Sequence, residues 1–579
     1  MLQDSDKSAV RELLDVIAAH GVKHIVCSPG SRNAPILMAA DARSSFIKHI
    51  LIDERAAAFV ALGIARVSGN PCALICTSGT ALLNYAPAVA EAYHQGIPLI
   101  VISADRPKEW IDQDDSQTIM QYEALHNIVK GSYDVSDREP GDTPGWYENR
   151  IFNDAMLVAM RGKRGPVHIN LRLSPPLHTM RPYSSSESCR IITEISSSGN
   201  LDKNIIKEMA TYLLDKKVMF VAGFLPPASA MVRAAKRFSS HYNVTPMAET
   251  IANLHLHPKD SAIDSALCLL NEEERERLAP DVVISIGGAL VSRMLKDYLR
   301  KCASYPGKRI EHWSVGCQPT TVDCFQGLTR RISADPADFI NRLSAEITHQ
   351  RRLSKQSDSG AFSLGSYHWE WEKVKNIAVS RMQKFALSCE WSDLRAFAYI
   401  FEDIPESYNL FLSNGTPVRY AQIIPRRPQH AEFCNRGVSG IEGSTATAVG
   451  GALAFSGKSL LISGDMSLCH DLGGLSAALH LDSKLKIIVI NNSGGGIFRF
   501  VASTSSLDIR EEYLCAPPKI QISDLANTFG FDYFKASDPG ELSVEISDFL
   551  RCPRRAILEV ETPPQQSAEI LKDALNMKQ

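Results

Sequence analysis

Short apolar runs that end in glycine or small polar residues recur along this chain, each followed by a stretch of helical periodicity. HIVCS, ALICTS and IPLIVISAD fall in the first third, KVMFVAG and DVVISIGG in the middle, and YNLFLSNG, KSLLISGDMS, KLKIIVINNSGGG and RRAILEVET in the last. Runs of four to eight apolar residues joined through helices can be satisfied only by parallel sheets whose two faces are both covered. The pattern therefore predicts an α/β protein of doubly wound parallel-sheet domains.

Two serine-rich stretches, RPYSSSESCRIITEISSSGN at 181–200 and HQRRLSKQSDSGAFSLGSYH at 349–368, break the alternation. They divide the 579 residues into three blocks, 1–185, 200–350 and 370–579, each long enough to bury a core of its own. The outer blocks echo one another. GIARVSGNPCALICTSGTALLNYAPAVAEAYHQGIPLIVISAD and GALAFSGKSLLISGDMSLCHDLGGLSAALHLDSKLKIIVINNS both read helix, glycine turn, strand, glycine, helix, strand. Two copies of one βαβ unit separated by an unrelated block are expected.

Bulk properties exclude more than they select. A net charge of -3 gives no broad basic surface for nucleic acid, and no apolar run is long enough to insert in a bilayer. The acidic, polar start MLQDSDKSAVRELL is unlike a secretory signal, so a cytoplasmic protein is expected. The thirteen cysteines form no CxxC framework; Cys72 and Cys76 lie in the apolar run PCALIC and read as small hydrophobes.

The chemistry is carried by strand ends. KSLLIS runs into Gly464-Asp465, and KLKIIVI runs into Asn491-Asn492-Ser493-Gly494-Gly495-Gly496. One helical crossover brings both ends to the same carboxyl edge of a parallel sheet. A carboxylate, an amide oxygen and a glycine-loop carbonyl are then the partial all-oxygen shell that magnesium takes when phosphate oxygens complete it, and the glycines let backbone approach a diphosphate. Asp465, Asn492 and Gly494 are the candidate metal ligands. In the first block, Glu54 follows the strand-like IKHILI and opens the alanine-rich helix ERAAAFVALGIAR.

Gly-Asp followed about 25 to 30 residues later by Asn resembles the diphosphate motif of thiamine-diphosphate-dependent enzymes. SPGSRNAPI, DERAAAFVALGIAR, ADRP with SQTI, NGTPVR, NRGVSGIEG, GDMSLCHD and NNSGGGIF resemble one branch in particular, the MenD family of menaquinone-pathway synthases. The resemblance implies a pyrimidine-binding domain at 1–185, a central α/β domain at 200–350 and a diphosphate-binding domain at 370–579. It implies thiamine diphosphate and Mg2+ (or Mn2+) as cofactors. Glu54 would be the carboxyl group that activates the aminopyrimidine, Ile441 the apolar support under the cofactor, and Gly415, Met466 and Ser467 further cofactor contacts. Met466 stands where the wider superfamily has glycine, but a bulky apolar residue is usual in this branch. Gly415 departs from the serine common in the family.

Enzymes of that branch decarboxylate 2-oxoglutarate and add the resulting four-carbon carbanion to isochorismate. Such diacids call for arginine forks. Arg32, Arg106, Arg419 and Arg436, in loops at the carboxyl edges, and Arg293 in the middle block are the candidates. Ser31 and Gln117 would add hydrogen bonds, and Ile497 and Phe498 would wall the pocket and exclude water. The resemblance also implies a homodimer, or a tetramer made of dimers, in which Glu54 of one subunit serves the metal-diphosphate site of the next. An acetolactate-synthase-like enzyme, a simple 2-oxo-acid decarboxylase and a non-catalytic metabolite-binding homologue are the alternatives.

Overall fold

The computed structural model describes residues 3–137, 145–184, 189–195, 201–305, 310–354, 361–426, 430–481 and 484–576. The chain forms two compact units. The first gathers 1–196, 435–459 and 467–485; the second gathers 197–434, 460–466 and 486–579.

In the first unit, six parallel strands lie in the order Ile47–Ile50, His24–Cys27, Cys72–Cys76, Leu99–Asp105, Val167–Arg172 and Ser132–Ser136. The inner strands Cys72–Cys76 and Leu99–Asp105 are buried along their whole length, which explains their unbroken apolar character. Leu13, Ile17, Ile25, Ile75, Ile102, Phe152 and Ile169 belong to the core beneath them.

The second unit carries two sheets. A five-stranded parallel sheet runs Val244–Ala248, Val218–Ala222, Val282–Ile286, Glu311–Val315, Leu328–Ile332. A six-stranded one runs Glu432–Cys434, Asn409–Leu412, Ser459–Gly464, Leu485–Asn491, Ala556–Glu561, Asp532–Ala536. Taken in chain order, the strands of both six-stranded sheets read second, first, third, fourth, sixth, fifth. The echo between the outer blocks is thus a repeat of topology, carried well beyond the one βαβ unit visible in the sequence.

The helix Glu54–Ser68 shows why its sequence folds as it does. The Asp53 side chain accepts from the Ala56 N–H, and Gly69, in the left-handed region at φ 71°, closes the far end. Its small residues allow close approach to the helix Ser444–Ala454 of the same unit. A Cβ added at Gly63 would lie 2.1 Å from the Thr447 carbonyl oxygen, and one at Gly450 would lie 2.0 Å from that of Val60. The two helices therefore touch through their backbones.

Described parts of the serine-rich stretches are built into regular elements. The helix Pro336–Ser354 continues into the second stretch because Phe339, Ile340, Leu343 and Ile347 bury one face, and the helix Ala361–Ser388 begins inside it and buries Tyr367, Trp371, Ala378 and Met382. In the first stretch, Met180–Pro182 pairs antiparallel with Gln3–Ser5, and Asn149 Nδ2 donates to the Arg190 carbonyl at 2.8 Å. Residues 185–188, 196–200 and 355–360 of these stretches lie outside the described ones.

Candidate functional site

In the second unit, the sheet brings Asp465, Asn492 and Gly494 together. Asp465 is 3 % exposed at the end of the strand Ser459–Gly464, and its Oδ2 accepts from the Gly494 N–H at 2.7 Å. Its Oδ1 is buried with no hydrogen-bond partner. Burial pushes the Asp465 carboxyl up to about 6, against the opposing pull of the Gly494 and Met466 N–H groups. Gly494 has φ 99°, and a Cβ there would strike the Cys515 carbonyl, so the turn requires glycine. Nothing lies within 4 Å of where a Gly464 Cβ would project.

Arginine 499 locks the loop from below. Its Nη1 donates to the Asn492 carbonyl and its Nη2 to that of Ser493, both at 2.9 Å, while Glu511 pairs with it at 2.8 Å. That guanidinium, more than any other neighbour, holds the Glu511 carboxyl down at about 2. Ile497 and Phe498, half-buried on the short helix Ile497–Phe500, follow directly.

Among the described residues no group of three or more His, Cys, Asp or Glu side chains could hold a metal. One carboxylate with an unpaired buried oxygen, an amide and a glycine turn instead form a partial oxygen shell, suited to a hard cation whose remaining positions are filled by phosphate. The residues fit a magnesium diphosphate.

In the first unit, Glu54 is half-buried at the first position of its helix. Burial pushes the nearby Cys76 and Tyr85 well above their ordinary values, and the negative charge of Glu54 adds to both effects. Ile441 sits half-buried in the loop before the helix Ser444–Ala454, and its carbonyl accepts from Ser467 Oγ at 2.6 Å. A Cβ on Gly443 would run into the Phe59 ring, so this loop rests on the Glu54 helix. The buried Glu91 takes the N–H groups of Gly437 and Val438, each at 2.7 Å, which fixes the turn after Arg436.

Arg32 and Arg106 lie close enough to repel. Burial, and then the Arg106 charge, pull Arg32 below its ordinary value. Arg32 Nη1 donates to the Leu173 carbonyl at 3.0 Å; Arg106 pairs with Asp115 at 2.5 Å and donates to Ser78 Oγ at 3.1 Å. Ser31 and Gln117 are exposed nearby in sequence, Gln117 at φ 63°.

Two arginines differ from expectation. Arg419 lies on the short helix Pro417–Ile423, started by Pro417 at its first turn, rather than in a loop, and its Nη1 donates to the Gly415 carbonyl. Arg293 opens the helix Arg293–Ala303, where the Ser292 side chain caps the Leu295 N–H; its own side chain is 82 % exposed and faces Asp297 at 3.5 Å. Gly415 adopts φ 91°, in the left-handed region that favours glycine.

Several structural partners escaped the sequence reading: Asp393, Arg499, Glu91, Asp115 and Asp471. Arg499 follows the glycine run directly and could have been suspected as its anchor. The others carry no local signal, since Ser392-Asp393 reads as an ordinary helix cap.

Residues 8–125 match the family described as thiamine pyrophosphate enzyme, N-terminal TPP binding domain, and residues 414–560 match its C-terminal TPP binding domain. With the oxygen shell and the Glu54 helix, these matches define a thiamine-diphosphate-dependent enzyme. The chain is 37% identical over 98% of its length to the 2-succinyl-5-enolpyruvyl-6-hydroxy-3-cyclohexene-1-carboxylate synthase of Porphyromonas gingivalis, covering 96% of that protein. It is 34% identical to the synthase of Bacteroides fragilis, with 98% of each chain covered, and 33% identical to that of Flavobacterium johnsoniae, with 97% of each covered. The chain belongs to this synthase family, against the acetolactate-synthase-like and non-catalytic alternatives.

Proposed function

We propose that the chain decarboxylates 2-oxoglutarate and joins the four-carbon remainder to isochorismate, giving 2-succinyl-5-enolpyruvyl-6-hydroxy-3-cyclohexene-1-carboxylate in menaquinone biosynthesis. The observation that carries the cofactor chemistry is the buried, unpaired Asp465 Oδ1 beside the Gly494 turn. The choice of substrates rests on the printed name of the near-full-length relatives.

Thiamine diphosphate, when bound, supplies the electron sink for decarboxylation. Glu54 holds the proton at the pyrimidine ring nitrogen. Asp465, Asn492 and the Gly494 carbonyl hold Mg2+, with Mn2+ able to replace it, while Gly415, Ile441, Met466 and Ser467 seat the cofactor. Arg32, Arg106, Arg419 and Arg436 take the substrate carboxylates, with Arg293 the candidate from the middle block. Ser31 and Gln117 orient the substrates. Ile497 and Phe498 keep water and stray protons from the reacting carbon until the acceptor arrives.

The domains that do this are 1–185 for the pyrimidine, 200–350 as the central domain and 370–579 for the diphosphate. Assembly is a homodimer or a dimer of dimers in the cytoplasm; among the described residues no helix is long and apolar enough to cross a membrane. The test follows isochorismate spectroscopically. Its loss should require 2-oxoglutarate, thiamine diphosphate and Mg2+ together, and isochorismate left intact with all three present would overturn the assignment.

A further inference from the structure

Asn492 is the ligand whose orientation matters most, because a carboxamide offers a metal an oxygen on one side and a repelling NH2 on the other. Its Nδ2 donates to Asp393 Oδ2 at 2.8 Å. Asp393 is 1 % exposed and lies at the first position of the helix Asp393–Asp403, where the helix dipole favours a negative charge. Its other oxygen, Oδ1, accepts from Thr562 Oγ1 at 2.5 Å, and its backbone N–H donates to Ser567 Oγ at 3.0 Å.

A carboxylate surrounded by donors can only accept, so the amide of Asn492 must turn its NH2 toward Asp393 and its oxygen to the other side. Gly496 leaves the space this needs: a Cβ there would lie 2.6 Å from Asn492 Nδ2.

We propose that Asp393 is a positioning residue for the cation, fixing the Asn492 amide so that its oxygen is the atom offered to the metal. The inference rests on the assignment of Asn492 as a metal ligand. Its consequence is specific. In D393N, residue 393 carries an NH2 as well as an oxygen, so the Asn492 amide is no longer held in one orientation and can turn its NH2 toward the cation. In N492D, two carboxylates confront one another, and D393N then relieves the repulsion while leaving a carboxylate oxygen for the metal.

The experiment titrates Mg2+ into the full chain at saturating thiamine diphosphate, following protein fluorescence, with far-UV circular dichroism and thermal melts as checks of folding. D393N should weaken Mg2+ binding by about 10- to 100-fold, as removal of a partner behind a metal ligand does. In the N492D background the same substitution should strengthen it. This reversal of sign, which a general loss of stability would not produce, remains measurable in the N492D pair even if D393N alone melts early. D393N with unchanged Mg2+ affinity, or an effect of the same sign in both backgrounds, overturns the inference. N492A tests the ligand assignment separately: if it binds Mg2+ like the parent, the assignment and the inference both fall. A weakened N492A beside an unaffected D393N removes the inference alone.

Discussion

Alanine at position 450 should destabilise the protein, although glycine in a helix interior ordinarily costs stability. The added Cβ would lie 2.0 Å from the Val60 carbonyl oxygen, 2.8 Å from its carbon and 3.0 Å from the Ile64 nitrogen. All three are backbone atoms, which cannot swing aside as a side chain would, so the helices Glu54–Ser68 and Ser444–Ala454 must separate by roughly an ångström and lose the dispersion contacts along their seam. Overpacking of this kind costs about 1–3 kcal/mol, with rigid backbone pointing to the upper end. Alanine's better helix propensity returns about 1 kcal/mol. A net loss of about 2 kcal/mol should lower the melting transition of this unit by roughly 4–8 °C. Differential scanning calorimetry of G450A, with hydrogen exchange on 54–68, provides the assay. G63A should behave alike, and the two should not add, because they open the same seam. Gly327, where a Cβ meets nothing closer than 3.6 Å, is the control and should change stability by no more than about 0.5 kcal/mol as alanine. A G450A protein that melts at or above the parent temperature would refute the reasoning.

Two further outcomes follow from buried or crowded charges. Burial pushes the Asp471 carboxyl up to about 7 although it accepts from the Ala446 N–H at 2.8 Å, so the charged form opposes folding increasingly as pH rises from the ordinary carboxylate range through about 7. D471N should therefore be more stable than the parent at pH 8, by up to about 4 kcal/mol, and show no gain below pH 4; urea titrations at several pH values would contradict this if the advantage were largest in acid. Arg106 pairs with Asp115 through its Nε and with Ser78 through its Nη1, a fork that lysine cannot reproduce. R106K should raise the KM for a carboxylate substrate by about tenfold or more, and steady-state kinetics showing an unchanged KM would remove Arg106 from the substrate site.

The strand ends were the most legible part of the sequence. Asp465 and Asn492 could be placed on one edge because a parallel sheet has one carboxyl edge and each lies beside glycine at a strand end. The common strand order of the outer sheets lay behind the echo between their sequences, but strand order depends on which crossovers pass which face and is not written in local periodicity. Gly63 and Gly450 were visible as small residues; that each lies against the backbone of the other helix, where a Cβ would come within 2.0–2.1 Å of a carbonyl oxygen, could only come from packing. Asp393 was illegible for a similar reason, since its partners Asn492 and Thr562 are remote in the chain. The helices that reach into the second serine-rich stretch were not legible either, because a few buried side chains in or beside it, such as Leu343, Ile347, Tyr367 and Trp371, outweigh polar neighbours when a helix has a core to rest on.

The most direct measurement supplies uniformly 13C-labelled 2-oxoglutarate and unlabelled isochorismate to the protein with thiamine diphosphate and Mg2+, and weighs the products by mass spectrometry beside an E54Q variant. A single adduct carrying four labelled carbons, with the fifth released as labelled carbon dioxide, and a loss of at least about 100-fold in E54Q is the predicted result. Labelled carbon dioxide without any labelled adduct, or an adduct formed equally well by E54Q, would contradict it.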